Sequence, residues 1–292
     1  MRPSFSLALL GIFLCFFSLT ACQQEETPAS ASKNSGVVEA SRAYLDNFGT
    51  PPQGKSGEAF ARVGYLPLQA FPGKLRALPL FLFSDKGELQ HILDRLIGGE
   101  LKLPADFGLY NPFPDDLEVQ TTPLGNPTVT LSLVTQQSWS DSDMAAAGRA
   151  LAETVFQFDA VERVIITLGN QPLPQMPADG YLHEPQKLVE VEPPTLVLIA
   201  GMWEQGADKL DELLVEFDRP ITVNSFKLYD NSGKAVDGEY FTSIFQMAVV
   251  VLPKDPSRYQ EATLMRAEWA VVDGLGRSNS GTTTLPLQRF EH

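Results

Sequence analysis

Hydrophobic and polar positions change rhythm several times along the chain. Leu7 to Phe17 is an almost unbroken apolar run, interrupted by Gly11 and Cys15. A bilayer span needs about 20 apolar residues, so this shorter run behind Arg2 has the form of an export signal. Residues 22–36, ending "QQEETPASASKNSG", are small, polar and aperiodic, the pattern of a flexible tether. Between 37 and 78 the rhythm is mixed. "VVEASRAYLDNF" suits a short helix and "AFARVGYLPL" a strand, while the prolines and glycines between them fit either irregular packing or more tether.

From Pro79 the pattern sharpens. "PLFLFS" predicts a short buried strand. In "ELQHILDRLIGGE" Leu89, Ile92, Leu93, Leu96 and Ile97 fall at helical spacing, and the glycines that follow stop the helix. "LEVQTTPLGNPTVTLSLVT" predicts two strands around Gly125-Asn126-Pro127; Val129, Leu131 and Leu133 alternate with polar residues, giving one buried and one wet face. Ser140 and Asp143 form a capping box before a helix whose inner face carries Met144, Ala147, Leu151, Val155 and Phe158. "VERVIITLGNQPLP" then reads as a strand ending at Gly169-Asn170. The order is βαββαβ, an α+β unit with helices on one face of a sheet.

After a proline-rich stretch expected to be a linker, residues 177–193, the signals are all strand. "TLVLIAGMW", "ELLVEFDRP", "NSFKLYDNSGKAV", "FQMAVVVLP", "ATLMRAEWAVVDGLGRS" and "GTTTLPLQ" are short runs split by turn residues, the spacing of a β-sandwich over 194–292. Asn231-Ser232-Gly233 is the predicted hairpin turn.

Three stretches resemble known families. "SLTACQQEE" ends the first apolar run with Leu19-Thr20-Ala21-Cys22, which resembles the bacterial lipobox. The resemblance implies removal of residues 1–21 as a signal peptide and acylation of Cys22 with two or three chains, enough for stable membrane attachment. Gln23 rather than aspartate follows, so the outer membrane is expected where a host has one, and otherwise the outer face of the cytoplasmic membrane. "PLFLFSDKGELQHILDRLIGG" and "LAETVFQFDAVERVIITLGNQPLP", with Val161, Val164, Gly169, Asn170 and Pro172, resemble the GerM domain family of sporulation and spore-germination lipoproteins. The match spans about Leu78 to Pro174 within a domain expected over 37–176. It departs from the family in the loop "LPADFGLYNPFPDDLE". "VEFDRPI" and "RAEWAVVDGLGRSNSGTTTLPL" resemble bacterial immunoglobulin-like domains, which commonly accompany GerM domains. Together the resemblances imply a non-enzymatic binding or assembly role with an envelope protein partner or through self-assembly.

Charge narrows the partners. The chain carries −14, and −15 once residues 1–21 and their single cation, Arg2, are removed. That excludes a nucleic-acid role, which needs a basic face, and excludes electrostatic attachment to anionic lipid. Apart from Cys15 and Cys22 the chain has no cysteine, so the exported body is built without disulfides.

Catalytic patterns are missing. His91, His183 and His292 share no metal-binding spacing. CopC-type copper carriers share the immunoglobulin-like pattern, yet Leu275 follows Gly274 where a histidine is needed, and Met202, Met247 and Met265 sit in strand-like runs. The acid pairs Asp115/Asp116, Asp141/Asp143 and Asp211/Glu212 are neighbours in turns or at a helix cap, not carboxylates across a cleft. No Gly-x-Ser-x-Gly occurs, and Gly274-x-Gly276 leads into a strand instead of a helix. The expectation is no enzyme, no cofactor and no metal. Aromatic residues expected in turns, Tyr110, Phe113, Tyr181 and Trp203, are the candidate contacts, with the 109–116 loop foremost. Peptidoglycan or glycan binding is the alternative, and an envelope hydrolase whose residues meet only in the fold is a further one.

Overall fold

The computed structural model describes residues 36–53, 57–98 and 107–291. The signal peptide, Cys22, nearly all of the expected tether and His292 lie outside them. Two large hydrophobic cores organise the described chain, one in each lobe, and a small third cluster of Phe60, Leu80, Leu82 and Ile92 lies in the first lobe.

The first lobe begins with β1 (Val37–Ala40), α1 (Arg42–Phe48) and β2 (Glu58–Pro67), so the stretch that read as mixed is structured. Tyr44 and Phe48 of α1 are buried, and every residue of β2 after Glu58 is inside. Then follow β3 (Leu75–Leu82), α2 (Glu88–Ile97), β4 (Glu118–Thr121), β5 (Thr128–Val134), α3 (Asp141–Val155), β6 (Arg163–Leu168) and the two-residue β7 (Gln171–Pro172). The predicted helices and strands from Pro79 onward occur in the expected order, but they do not form one sheet. β3 pairs with β2 in the sheet β1-β2-β3, whereas β4-β5-β6-β7 is a second sheet. The sequence marks "AFARVGYLPL" as a strand but leaves it outside the βαββαβ unit; as β2 its long buried run claims β3 as its antiparallel partner. α2 packs against both β3 and β4 and joins the sheets into one core.

α3 starts where its cap predicts. The Ser140 hydroxyl accepts from the Asp143 amide at 3.1 Å. Its C-terminal end does something the periodicity does not announce. β1 pairs with β2 only as far as Ala61. Beyond it Gln157 takes over as a surrogate strand: Val63 N donates to Gln157 Oε1 at 2.9 Å and Gln157 Nε2 donates to Val63 O at 2.7 Å. Tyr65 N donates to Thr154 Oγ1 at 3.1 Å. Buried backbone groups of β2 thus remain satisfied where no strand lies beside them.

The second lobe contains β8 (Leu196–Trp203), β9 (Leu210–Phe217), β10 (Ile221–Tyr229), β11 (Gly238–Thr242), β12 (Ala248–Pro253), β13 (Leu264–Asp273), β14 (Ser278–Pro286) and β15 (Gln288–Glu291). They form a three-stranded sheet, β10-β13-β14, and a five-stranded sheet, β11-β12-β9-β8-β15, whose inner faces share the second core. From Met265 on, β13 alternates buried and half-buried, as a strand with one face on a core does. β14 and β15 are consecutive but belong to different sheets, and the buried Leu287 marks the crossing. No helix among the described residues is long and apolar enough to span a membrane.

Residues 177–193 are not a free spacer. Tyr181 exchanges both backbone hydrogen bonds with Val164, at 2.8 and 3.1 Å. Leu188 bridges Leu75, and Val191 enters the first core. Apolar side chains and strand pairing hold this stretch along the first lobe despite its prolines.

A buried ionic cluster joins the lobes. Asp218 follows β9 and accepts from Arg76 of β3 at 2.7 Å, from Arg219 at 2.5 Å and from the Thr195 amide at 3.0 Å. Arg219, fully buried, also reaches Asp273 at 3.3 Å. Asp273 accepts from Arg277 at 2.7 Å, and Arg277 donates to the carbonyls of Val191 and Asn47, both at 2.7 Å. Beside it, Gly49 and Gly274 bring their backbones together: a Cβ on Gly274 would stand 2.5 Å from the Phe48 oxygen. Replacing Asp218 with Ala strands Arg219 and Arg76 in a buried site, and urea unfolding is expected to show a loss of about 3–5 kcal/mol.

The outer face of β9 carries Glu216, paired in register with Leu198 and Ala248, both buried. Burial raises its pKa above the ordinary glutamate value. A carboxyl whose pKa rises on folding holds its proton more tightly in the folded chain. Its contribution is therefore complete below the ordinary glutamate pKa and is lost as pH rises through the raised value. Unfolding experiments on Glu216→Gln at pH 4 and pH 8 should show the variant gaining on the natural chain at the higher pH. A difference constant across pH would contradict this.

Candidate functional site

The aromatic residues expected at the surface are mostly inside. Trp203 ends β8 and is 1% exposed, lying over Gly201, with the Arg289 guanidinium 4.7 Å from its ring centroid. Phe113 is 6% exposed because the "YNPFP" loop folds inward: its amide donates to Asn111 Oδ1 at 2.9 Å, and Trp139 Nε1 donates to the Pro112 carbonyl at 2.9 Å. Tyr181 is buried under α3. These three serve packing and are not free contacts, since large aromatic rings bury the most apolar area per residue. Tyr110 alone of the four is half-buried, with its amide on the Pro67 carbonyl at 3.2 Å.

The surface instead exposes apolar side chains where the lobes meet. A groove of about 600 Å³ is bounded by Pro79, Phe81 and Phe83 on the β3 side and by Phe241, Ile244 and Phe245 on the β11 side. Leu214 and Val250 contribute from β9 and β12. Phe83 is 71% exposed, Ile244 49% and Phe241 44%. Beneath them Phe81 and Phe245 stack with centroids 4.2 Å apart and planes 4° from parallel, a contact made by one ring from each lobe. Polar groups are few: Thr242, Ser243, Glu212 and Arg95, whose Nη1 donates to the Phe81 carbonyl at 2.5 Å. Beyond Phe83 the groove opens onto α2 at His91 and Asp94.

Two sheets present their edges here. β3 is the outer strand of its sheet and β11 of its own, and both line the groove. An open edge beside an apolar slot is the arrangement that accepts an added strand, with backbone hydrogen bonds for affinity and alternate side chains in the slot for selection. β11 escaped the sequence reading because Gly238–Thr242 is short and mostly exposed, with no buried face to produce alternation.

The remaining candidates do not converge. His91 is exposed on α2, and His183 meets Glu153, with Nδ1 and Oε2 at 2.8 Å. Asp116 accepts from the Thr135 hydroxyl and from the Gln136 amide at 2.8 Å, which holds its pKa below the usual value. Asp143 shares the helix cap with Ser140. Met265 is in the second core, Met247 lines the groove, and Met202 is half-buried on β8. Among the described residues no group of three or more His, Cys, Asp or Glu could hold a metal.

No protein-family profile matches the chain, and no curated protein does. Among solved structures, it is similar to the first GerMN domain of the sporulation protein GerM from Bacillus subtilis, with 20% identity, 42% of this chain and 93% of that chain covered, and a TM-score of 0.33. The tandem GerMN domains of the same protein give 15% identity, 70% and 63% coverage and a TM-score of 0.34, so this chain spans less than two thirds of them. PcoC, a methionine-rich copper resistance protein from Escherichia coli, gives 17% identity, 33% and 99% coverage and a TM-score of 0.24. At such identities and scores no activity passes from those proteins to this one.

Exposure separates the groove's rim from its floor. Phe83→Ser and Ile244→Ser should each leave the thermal unfolding midpoint essentially unchanged, within about 0.5 kcal/mol. Phe245→Ala, which removes half of the interlobe stack, should cost about 2 kcal/mol. Equal losses at rim and floor would mean that the rim serves stability.

Proposed function

We propose that this chain is a lipid-anchored cell-envelope protein with a non-enzymatic binding or assembly role of the GerM type, and that its interlobe groove receives an extended apolar segment of an envelope protein partner. The observation that carries the reading is the exposed apolar rim between two open strand edges. Three large side chains that add little to the fold stand in water around a slot, and such patches mark interaction sites. The second lobe is a two-sheet sandwich in the place where the sequence resembles an immunoglobulin-like domain. The resemblance of "LAETVFQFDAVERVIITLGNQPLP" to the GerM family supplies the class, assembly of a sporulation- or germination-type envelope complex.

Protein is favoured over glycan by the chemistry of the walls. A sugar needs ring faces and many hydroxyl partners, but Phe81 and Phe245 turn their faces to each other, and the slot offers few polar groups. Attachment through Cys22 would hold the slot near one membrane face, raising its effective concentration toward a partner there.

Two experiments test the reading. Cys22→Ser should move the protein from the membrane fraction to the soluble exported fraction; retention in the membrane would remove the anchor from the proposal. A photo-crosslinking residue placed in vivo at Phe83 or Ile244, and at exposed Thr284 as control, should give a groove-specific adduct. Sequencing of the linked peptide should return an apolar, strand-forming segment of an envelope protein. An adduct of two copies of this chain would replace the partner with self-assembly, one released by wall digestion would replace it with peptidoglycan, and equal labelling at Thr284 would sink the groove.

A further inference from the structure

A second cavity, of about 380 Å³, lies in the first lobe, away from the groove. One wall is a single face of α3: Ser142, Ala145, Ala146 and Arg149 follow at the spacing that stacks side chains along a helix. The turn between β2 and β3 brings Lys74. The stretch 175–187 brings Tyr181 and Lys187, and Tyr110 closes the side. Gln175, on the rim, takes a left-handed backbone with φ of 62°, an unfavourable conformation for a residue other than glycine.

The lining holds three cations and no carboxylate, in a chain where Asp and Glu outnumber Lys and Arg by 36 to 22. Each cation is placed differently. Lys74 Nζ donates to the Gln186 carbonyl at 2.6 Å, which fixes it and leaves two of its three N–H donors. The Lys187 amide donates to the Glu184 carbonyl at 2.8 Å, while its ammonium has no hydrogen-bond or ion-pair partner among the described residues. Arg149 is paired with Glu184 outside the lining and lies 5.9 Å from the Tyr181 ring centroid. Glu184 is itself positioned by its amide, which donates to Glu153 Oε1 at 3.0 Å, and His183 takes the other oxygen of Glu153. Burial, and after it the carboxylate of Asp143 beyond the lining, raise the pKa of the Tyr110 hydroxyl. The Arg149–Glu184 pair cancels, so the walls present the charge of two ammonium groups beside hydroxyls of Ser142 and tyrosine.

We propose that this cavity binds a small dianion, a phosphate monoester or a dicarboxylate, with Lys74 and Lys187 taking its charge and the half-buried Tyr110 its carbon body. Two cations lining one cavity repel each other, and a dianion is the ligand that relieves this. The volume lies at the lower end of small-ligand pockets. The site is independent of the groove and of the partner reading above.

The test is calorimetric titration of the soluble body, residues 23–292, with glycerol 3-phosphate, with succinate and with glycerol as the uncharged control. Saturable binding of at least one dianion and none of glycerol is expected, weakening as salt is raised. The double variant Lys74→Gln/Lys187→Gln should weaken it tenfold or more while keeping the unfolding midpoint of the free protein; Phe83→Ser should bind as the natural chain does. Preference between the two dianions decides phosphate against carboxylate. No saturable heat from either at about 10 mM, where a ligand of about 1 mM Kd would fill nine-tenths of the sites, overturns the proposal. So does binding that the double variant retains.

Discussion

The buried ion cluster of Arg76, Asp218, Arg219, Asp273 and Arg277 is what makes one body of two lobes. Removing charges from water costs several kcal/mol each, and only close, fully bonded partners offset that. Here each aspartate serves several donors at once: Asp218 takes two arginines and the Thr195 amide, and Asp273 takes two arginines and the amides of Leu275 and Arg277. Arg76 is the first lobe's contribution, and Arg277 reaches back to carbonyls at Asn47 and Val191. Ionic attraction in this setting demands one geometry. The touching glycine backbones at Gly49 and Gly274 demand the same one sterically.

That rigidity matters for the groove. Its two walls belong to different lobes, so its width is a property of the junction and not of either fold alone. The ion cluster holds Arg76, near the start of β3, and Asp218, just beyond β9, while the Phe81–Phe245 stack pins the groove floor. A slot fixed at two places binds without the cost of ordering its walls. The basic cavity is built differently, within one lobe, from a helix face, a tight turn and the stretch 175–187.

Much of the fold was legible in the sequence where one face of an element is buried and the other is wet. The Ser140 cap, the apolar face of α3 and the alternation along β5 all express that asymmetry and are found where they were expected. β2 reads as a strand but stays unplaced, because nearly all of it is buried and no alternation shows which face packs where, and β11 was missed because almost none of it is buried. With β2 left outside the unit, the pairing of β3 was not foreseen. The junction was half visible: "FDRP" and "DGLGR" lay in the stretches that resemble an immunoglobulin-like domain, but nothing marks Arg76 as the ion partner of a residue 142 positions away. Exposure of aromatics was the weakest inference. Trp203 and Phe113 sit near turns in sequence, yet the backbone carries their rings inward.

The way the described chain begins has a mechanical meaning. β1 runs parallel to β2, bound by the Val37 amide to the Gly57 oxygen at one end and the Ser41 amide to the Ala61 oxygen at the other. A pull entering through the residues before Val37 and directed along β1 strains these bonds together, in shear, instead of opening them one after another like a zipper. The next segment, α1, is itself wedged against the touching glycines through Phe48 and Gly49. Tension on the entering chain would thus be shared with the junction between the lobes, and a pull on that end would be resisted before β1 peeled.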